Sequence, residues 1–224
     1  MNVVEPIRDK RMIARIAEYL RRWNKRYYLI FEIGIYTGLR ISDILALTYG
    51  DVIEEYRSGR RRWKEHLELN EIKTGRRRVI PLKDTTLGRL LVRELKPITR
   101  HDLDCPLFVT QRWSRQGARR PLTRWMIYYV LRIAAYECGF QGRVGTHTLR
   151  KTFGYHVYQQ SHDVAQLQSL FGHSAQSITL RYIGVSQDDH DAAYRLLNFD
   201  ANGKLASAPD FSPPKKRKRE CFRA

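Results

Sequence analysis

Apolar residues recur at steps of three and four along most of this chain, and the rhythm breaks once, where apolar and polar residues alternate instead. A period of 3.6 buries one stripe of a helix and a period of 2 buries one face of a strand. The pattern therefore prescribes a mainly α fold with one antiparallel β-hairpin. In residues 8–24, Ile13, Ile16, Leu20 and Trp23 form one helical stripe, with Arg and Lys between them. A second helix runs through Tyr36, and a short third one ends across Leu47 to Asp51. The alternating stretch reads His66-Leu67-Glu68-Leu69-Asn70, then Arg78-Val79-Ile80-Pro81-Leu82, a β-hairpin turning at Lys73-Thr74-Gly75. Gly75 supplies the positive φ such turns often need, and Pro81 puts the second strand at an edge or at its end. Helices resume from Asp84. One spans Thr123 to Cys138 and stops at Gly139; one is capped by Thr146 and runs toward Gln160. Asp163 caps another, Val164 to Phe171, which Gly172 ends, and two more short helices follow.

With 224 residues and 42% apolar content, the chain fills one full-sized core, short of the roughly 250–300 residues at which cores split. One domain over residues 1–200 is expected. Residues 201–224 turn to Ala, Ser, Pro and Gly and then to Lys215-Lys216-Arg217-Lys218-Arg219, the composition of a basic, disordered tail. Lys and Arg outnumber Asp and Glu 41 to 23, a formal net charge of +18. A polyanion is the expected partner, nucleic acid ahead of an anionic membrane surface. The longest apolar run, Tyr27 to Tyr36, carries Glu32 and is half the roughly 20 residues a membrane span needs. Met1 to Lys10 lacks the apolar stretch of a secretory signal. A cytoplasmic, nucleoid-associated protein with no membrane partner is expected. Cys105, Cys138 and Cys221 fit neither a disulfide framework nor a metal-ligand spacing and read as reduced thiols.

Four short stretches set a cationic or proton-transferring side chain beside a turn signal: Thr37-Gly38-Leu39-Arg40 with Asp43, Lys73-Thr74-Gly75, His147-Thr148-Leu149-Arg150, and Gly172-His173 with Tyr182 nine residues on. His147 and Arg150 share a helix face near an N-terminal turn, whose free N–H groups favour a phosphate. Gly154, a turn further, adds no bulk to that face. Alone each piece is weak, and His66, His101, His156, His162 and His190 read as structural or surface residues. Tyr182 is one of 13 tyrosines, and only its spacing from His173 sets it apart from a core residue.

Taken together and in this order, the pieces resemble the tyrosine recombinase (phage integrase) family over about residues 5–198. The family's Arg, Lys, His-x-x-Arg, His and Tyr fall on Arg40, Lys73, His147, Arg150, His173 and Tyr182. Thr37 to Leu47 is similar to its first arginine box, with Asp43 at the accompanying acidic position, and Phe171-Gly172-His173 to its Leu-Gly-His element. The resemblance implies that family's catalytic fold, mainly α with a small antiparallel β-sheet of about three strands, and a site-specific recombinase that cleaves and rejoins DNA through a 3′-phosphotyrosyl bond to Tyr182, without ATP. In that chemistry Arg40 and Arg150 fork onto the nonbridging oxygens, His147 takes the tyrosine's proton while surrounding cations favour the phenolate, Lys73 protonates the leaving 5′-oxygen, and His173 hydrogen-bonds the phosphate. Asp43 is assigned to holding the arginine loop. No metal or other cofactor is implied. A type IB topoisomerase-like activity and a noncatalytic DNA-binding accessory protein are the rival readings.

Arg57, Arg60, Arg61, Arg62 and Lys64, with Arg76, Arg77 and Arg78, flank the hairpin and are expected to contact phosphates of double-stranded DNA, the alternative being a solvated face. Lys215, Lys216 and Arg217 are assigned to a DNA-tethering arm, against an import run or a solvated tail. Larger members of the family carry a separate N-terminal DNA-binding domain, whereas here the catalytic resemblance starts by about residue 5, which fits a free-standing short recombinase better than an excised domain. The resemblance implies self-association as a tetramer on two DNA sites, with the apolar stripe of Asp188 to Phe199 packing on a neighbour, the alternative being that it folds back on its own domain; an accessory DNA-bending protein is a further expected partner.

Overall fold

The computed structural model describes residues 4–95, 102–113 and 119–184. The anticipated helix of Asp188 to Phe199 and the basic tail lie outside them. Helix α1 (Lys10–Trp23) starts where the Asp9 carboxylate accepts the Arg11 N–H, and it buries Ile16, Ala17 and Leu20. Asn24 makes the corner to α2 (Lys25–Thr37): its N–H donates to Leu20 O, and its side chain accepts from Arg26 N–H at 2.9 Å. The ten-residue apolar run becomes the centre of α2, which packs against α1 on one side and a later helix, Thr148–Ser161, on another and buries Leu29, Ile30, Phe31 and Ile33.

The expected third helix is two. α3 (Ile41–Ala46) stops at Leu47, and α4 (Tyr49–Val52) restarts after it. Asp51 Oδ2 accepts the Thr48 N–H at 2.7 Å and its hydroxyl at 3.0 Å, so a local cap resets the chain. The strands pair as three separate two-stranded antiparallel ladders rather than one sheet of three: β1 (Ile53–Glu55) with β2 (Arg61–Trp63), β3 (His66–Asn70) with β4 (Arg77–Pro81), and β5 (Val109–Trp113) with β6 (Arg119–Pro121). In the β3–β4 hairpin Leu67 faces Ile80, and Pro81 closes the ladder opposite His66, the strand-end position its missing N–H demands. Gly75 takes φ +66 in the turn.

α5 (Thr86–Glu94) and α6 (Arg124–Glu137) are capped by Thr85 and Thr123. α7 (Thr148–Ser161) begins later than expected. His147, not Thr146, holds the N-cap position, and the Thr148 hydroxyl accepts the Gly145 N–H at 3.0 Å. α8 (Val164–Phe171) has its expected ends at Asp163 and Gly172, and α9 (Gln176–Ile183) follows. α7 is the hub of this half, packing on α2, α8 and α9. Cys105 and Cys138 are free thiols. No helix among the described residues is long and apolar enough to cross a membrane.

Candidate active site

Gly38 ends α2 in the left-handed conformation (φ +63), a geometry that costs glycine little. The chain then reverses so that Arg40 caps α3 and points toward the hairpin. Its Nη1 donates to Glu71 Oε2 at 2.5 Å, and the side chain is 17% exposed. Arg150, in the first turn of α7, is fully buried. Three distant segments hold its guanidinium: Nη1 donates to Gly38 O at 2.7 Å and to Glu71 Oε1 at 3.4 Å, and Nη2 donates to Phe171 O at 3.1 Å. The guanidinium lies over the Phe171 ring, 4.5 Å from its centre. A fork pinned in this way has little rotamer freedom left to lose when a phosphate arrives.

His147 Nδ1 is 3.2 Å from the Tyr182 hydroxyl. Burial, and then the charges of Arg124, Arg150, Arg40 and Lys73, hold this imidazole below its ordinary 6.5, so it is neutral at pH 7. Burial raises Tyr182 above 10.0 despite the opposing pull of Arg150 and Arg40. Arg150 and Arg40 pull toward the phenolate, as expected, but desolvation outweighs them, so the hydroxyl rests as a phenol. The Tyr182 ring meets Phe171 and His173 edge-on, at 5.5 and 5.2 Å between centres, which fixes the hydroxyl's direction. The Lys151 ammonium stands over the same ring, 5.3 Å from its centre. His173 Nδ1 shares a 3.0 Å hydrogen bond with the buried Thr179 hydroxyl, leaving Nε2 for another partner. Burial, and then Arg150 and Arg40, lower the His173 pKa too.

Lys73 sits exposed on the hairpin tip and makes no hydrogen bond or ion pair among the described residues. It is close enough for its charge to act on His147. The Asp43 side chain, expected to hold the arginine loop, bonds to the hairpin instead: its Oδ1 accepts the Ile72 N–H at 2.9 Å, tying the tip beside Lys73 to α3. The structure thus gathers Arg40, His147, Arg150, His173 and Tyr182 around one point and sets Lys73 at its rim.

The basic list divides. Arg57 and Arg60 are exposed, Lys64 and Arg76 are half-buried, and Arg61, Arg62 and Arg77 pair with Glu55, Glu54 and Glu68 on the surface. Arg78 is corrected from a phosphate contact to an internal residue. It is 6% exposed, donates from Nη1 to Leu170 O at 2.7 Å and from Nη2 to Thr37 O at 3.3 Å, and faces Glu71 Oε1 at 3.5 Å. Its register explains this: Arg78 and Ile80 share the inward face of β4, while Arg77 and Val79 point out. Glu71, Thr179 and Lys151 were not among the expected site residues. Glu71 had a signal, since it continues the inward phase of Leu67 and Leu69. Lys215, Lys216 and Arg217 lie outside the described residues.

The sequence pattern of the phage integrase family matches residues 9–188. The chain belongs to that family. Among its tyrosine recombinase relatives, the probable integrase/recombinase YoeC of Bacillus subtilis (strain 168) is 40% identical over 197 residues, covering 88% of this chain and 98% of that one. The chain spans about half the length of several Xer recombinases that it also matches. In three dimensions it is similar to the XerA recombinase (TM-score 0.63, 20% identity, 86% of this chain and 63% of that one). It is also similar to lambda integrase in a tetramer bound to a Holliday junction (TM-score 0.57, 17% identity, 81% and 49%). The fold is the tyrosine recombinase catalytic fold, and site-specific DNA recombination is the activity that goes with this family.

Proposed function

We propose that Tyr182 is the nucleophile that cleaves one DNA strand and that Arg40, Lys73, His147, Arg150 and His173 carry the reaction. The observation that supports this most is the 3.2 Å approach of a neutral His147 to the Tyr182 hydroxyl beside two arginines. His147 takes the phenol's proton as the Tyr182 oxygen bonds to phosphorus and the bond to the 5′-oxygen breaks. Lys73 gives that oxygen a proton as it leaves. Arg40 and Arg150, with His173, stabilise the charge that grows on the nonbridging oxygens. One phosphoester replaces another, so the reverse attack by a 5′-hydroxyl rejoins DNA without ATP. Double-stranded DNA is the substrate, consistent with a net charge of +18. The lambda integrase tetramer on a Holliday junction supports assembly of four subunits on two sites, with an accessory DNA-bending protein as a further candidate partner.

The test is covalent capture on a nicked duplex whose cleaved fragment diffuses away. Tyr182→Phe, which keeps the ring packing and loses only the hydroxyl, should form no denaturation-resistant adduct yet bind DNA within about tenfold of the wild type. An adduct that persists in Tyr182→Phe moves the nucleophile elsewhere.

A further inference from the structure

We propose that Glu71 is a positioning residue that pre-forms the phosphate site by holding Arg40, Arg150 and the Lys73 turn in one frame. This rests on the phosphotyrosyl reading above. The Glu71 side chain is 1% exposed, and both of its oxygens are engaged. Oε2 accepts from Arg40 Nη1 at 2.5 Å and from the Thr74 hydroxyl at 2.8 Å, and Oε1 faces Arg150 Nη1 at 3.4 Å and Arg78 Nη1 at 3.5 Å. Its main chain closes the hairpin: the N–H donates to Arg76 O at 2.9 Å, and the carbonyl accepts the Gly75 N–H at 2.7 Å. One residue therefore links the turn that carries Lys73 to both arginines assigned to the phosphate.

Three guanidiniums that converge on one buried point repel one another, and the repulsion is poorly screened away from water. A carboxylate among them removes that repulsion before any phosphate is present. Burial alone would raise Glu71, but Thr74, Arg40 and Arg150 outweigh it and keep the group below the usual carboxylate range, hence charged at neutral pH. Arg150 has the Gly38 and Phe171 carbonyls to hold it in any case. The Arg40 guanidinium has no other hydrogen-bond partner among the described residues and would swing free without Glu71. An anion here also subtracts from the site's attraction for DNA, so its use lies in geometry at the transition state rather than in ground-state affinity.

Glu71→Gln in the full chain preserves shape and removes the charge. On a nicked duplex under single-turnover conditions, the variant should cleave more slowly by about tenfold or more at saturation, with an unchanged or lower Kd. On the same duplex with a methylphosphonate at the scissile position, which leaves no charged nonbridging oxygen to stabilise, wild type and variant should differ by about threefold or less. Wild-type rates on the ordinary duplex, or an equal loss on both substrates as general misfolding would give, overturn the proposal. Failure of the wild type itself to form an adduct at Tyr182 would instead overturn the phosphotyrosyl reading. Should the single variant not fold, Glu71→Gln combined with Arg78→Met removes a buried cation along with the carboxylate, and the same two-substrate comparison decides.

Discussion

His147 Nδ1 and the Tyr182 hydroxyl stand 3.2 Å apart, one group held below its ordinary pKa and the other above it. A neutral imidazole facing a neutral phenol is the state from which base-assisted attack begins. Because burial and neighbouring cations hold this histidine below its ordinary range, it is mostly neutral at pH 7 and charges only as pH falls, so cleavage should be level from pH 7 to about pH 8 and drop in acid. His147→Gln should slow cleavage by about 10²–10⁴-fold and remove the acid limb. A single-turnover rate that climbs steadily through pH 8 in the wild type would mean that Tyr182 loses its proton to solvent.

Lys73 stands on an exposed turn that Asp43 and Glu71 secure from below, so its stem is free to reach while its base is fixed. Lys73→Ala should slow cleavage of ordinary DNA by about 10²–10⁴-fold, the range for loss of a positioned acid. Sulfur departs without a proton, so replacing the 5′-oxygen at the scissile bond should restore most of the rate. Equal defects on the oxygen and sulfur substrates would remove Lys73 from the acid role and leave it a phosphate contact.

The helical stretches and the hairpin were legible because their signals are local: Asp163 and Gly172 bound α8, and residues 66–82 alternate. The six proposed site residues were legible because their spacing is that of a family. What escaped was set by short side-chain caps, three residues long, and by depth in the fold. The split between α3 and α4 depends on Thr48 and Asp51, and the start of α7 on Thr148 reaching back to Gly145. The direction of the Tyr182 shift depends on how deep the ring sits, which no spacing reports. Arg78 and Glu71 were readable in principle. Arg78 falls in the inward phase of β4 and Glu71 continues that of β3 one residue past its end, but in so basic a chain an arginine beside two others invites a surface reading.

Gly154 is where α7 meets the tyrosine's surroundings. A Cβ there would lie 2.7 Å from Phe171 Cε2 and Cζ and 2.8 Å from Ile183 Cγ2. Phe171 packs on Tyr182, and Ile183 is its neighbour in α9, so both shifts reach Tyr182. Gly154→Ala should cost about 1–3 kcal/mol of stability from overpacking, and it should slow adduct formation more than it weakens DNA binding. Calorimetry and single-turnover cleavage check this, and an unshifted Tm with wild-type cleavage would show that the interface yields without moving Tyr182.

Arg77 and Arg78 are adjacent in sequence and opposite in role. The Arg77 side chain is exposed and pairs, among the described residues, only with Glu68, a weak pair in water that a phosphate can displace. Arg78 is inside, spent on the Thr37 and Leu170 carbonyls and on Glu71. Each phosphate contact on duplex DNA contributes about 0.9 to the slope of log affinity against log salt. Arg77→Ala should therefore lower that slope by about 0.9, evenly across DNA sequences, with little change in Tm. Arg78→Met should leave the slope unchanged and reduce stability by about 1–3 kcal/mol, because the carbonyls it served stay buried without a donor. Titrations at several salt concentrations beside thermal melts of both variants separate the two roles. A lower slope for Arg78→Met would return that arginine to the DNA-facing surface and undo the register argument that places it inside.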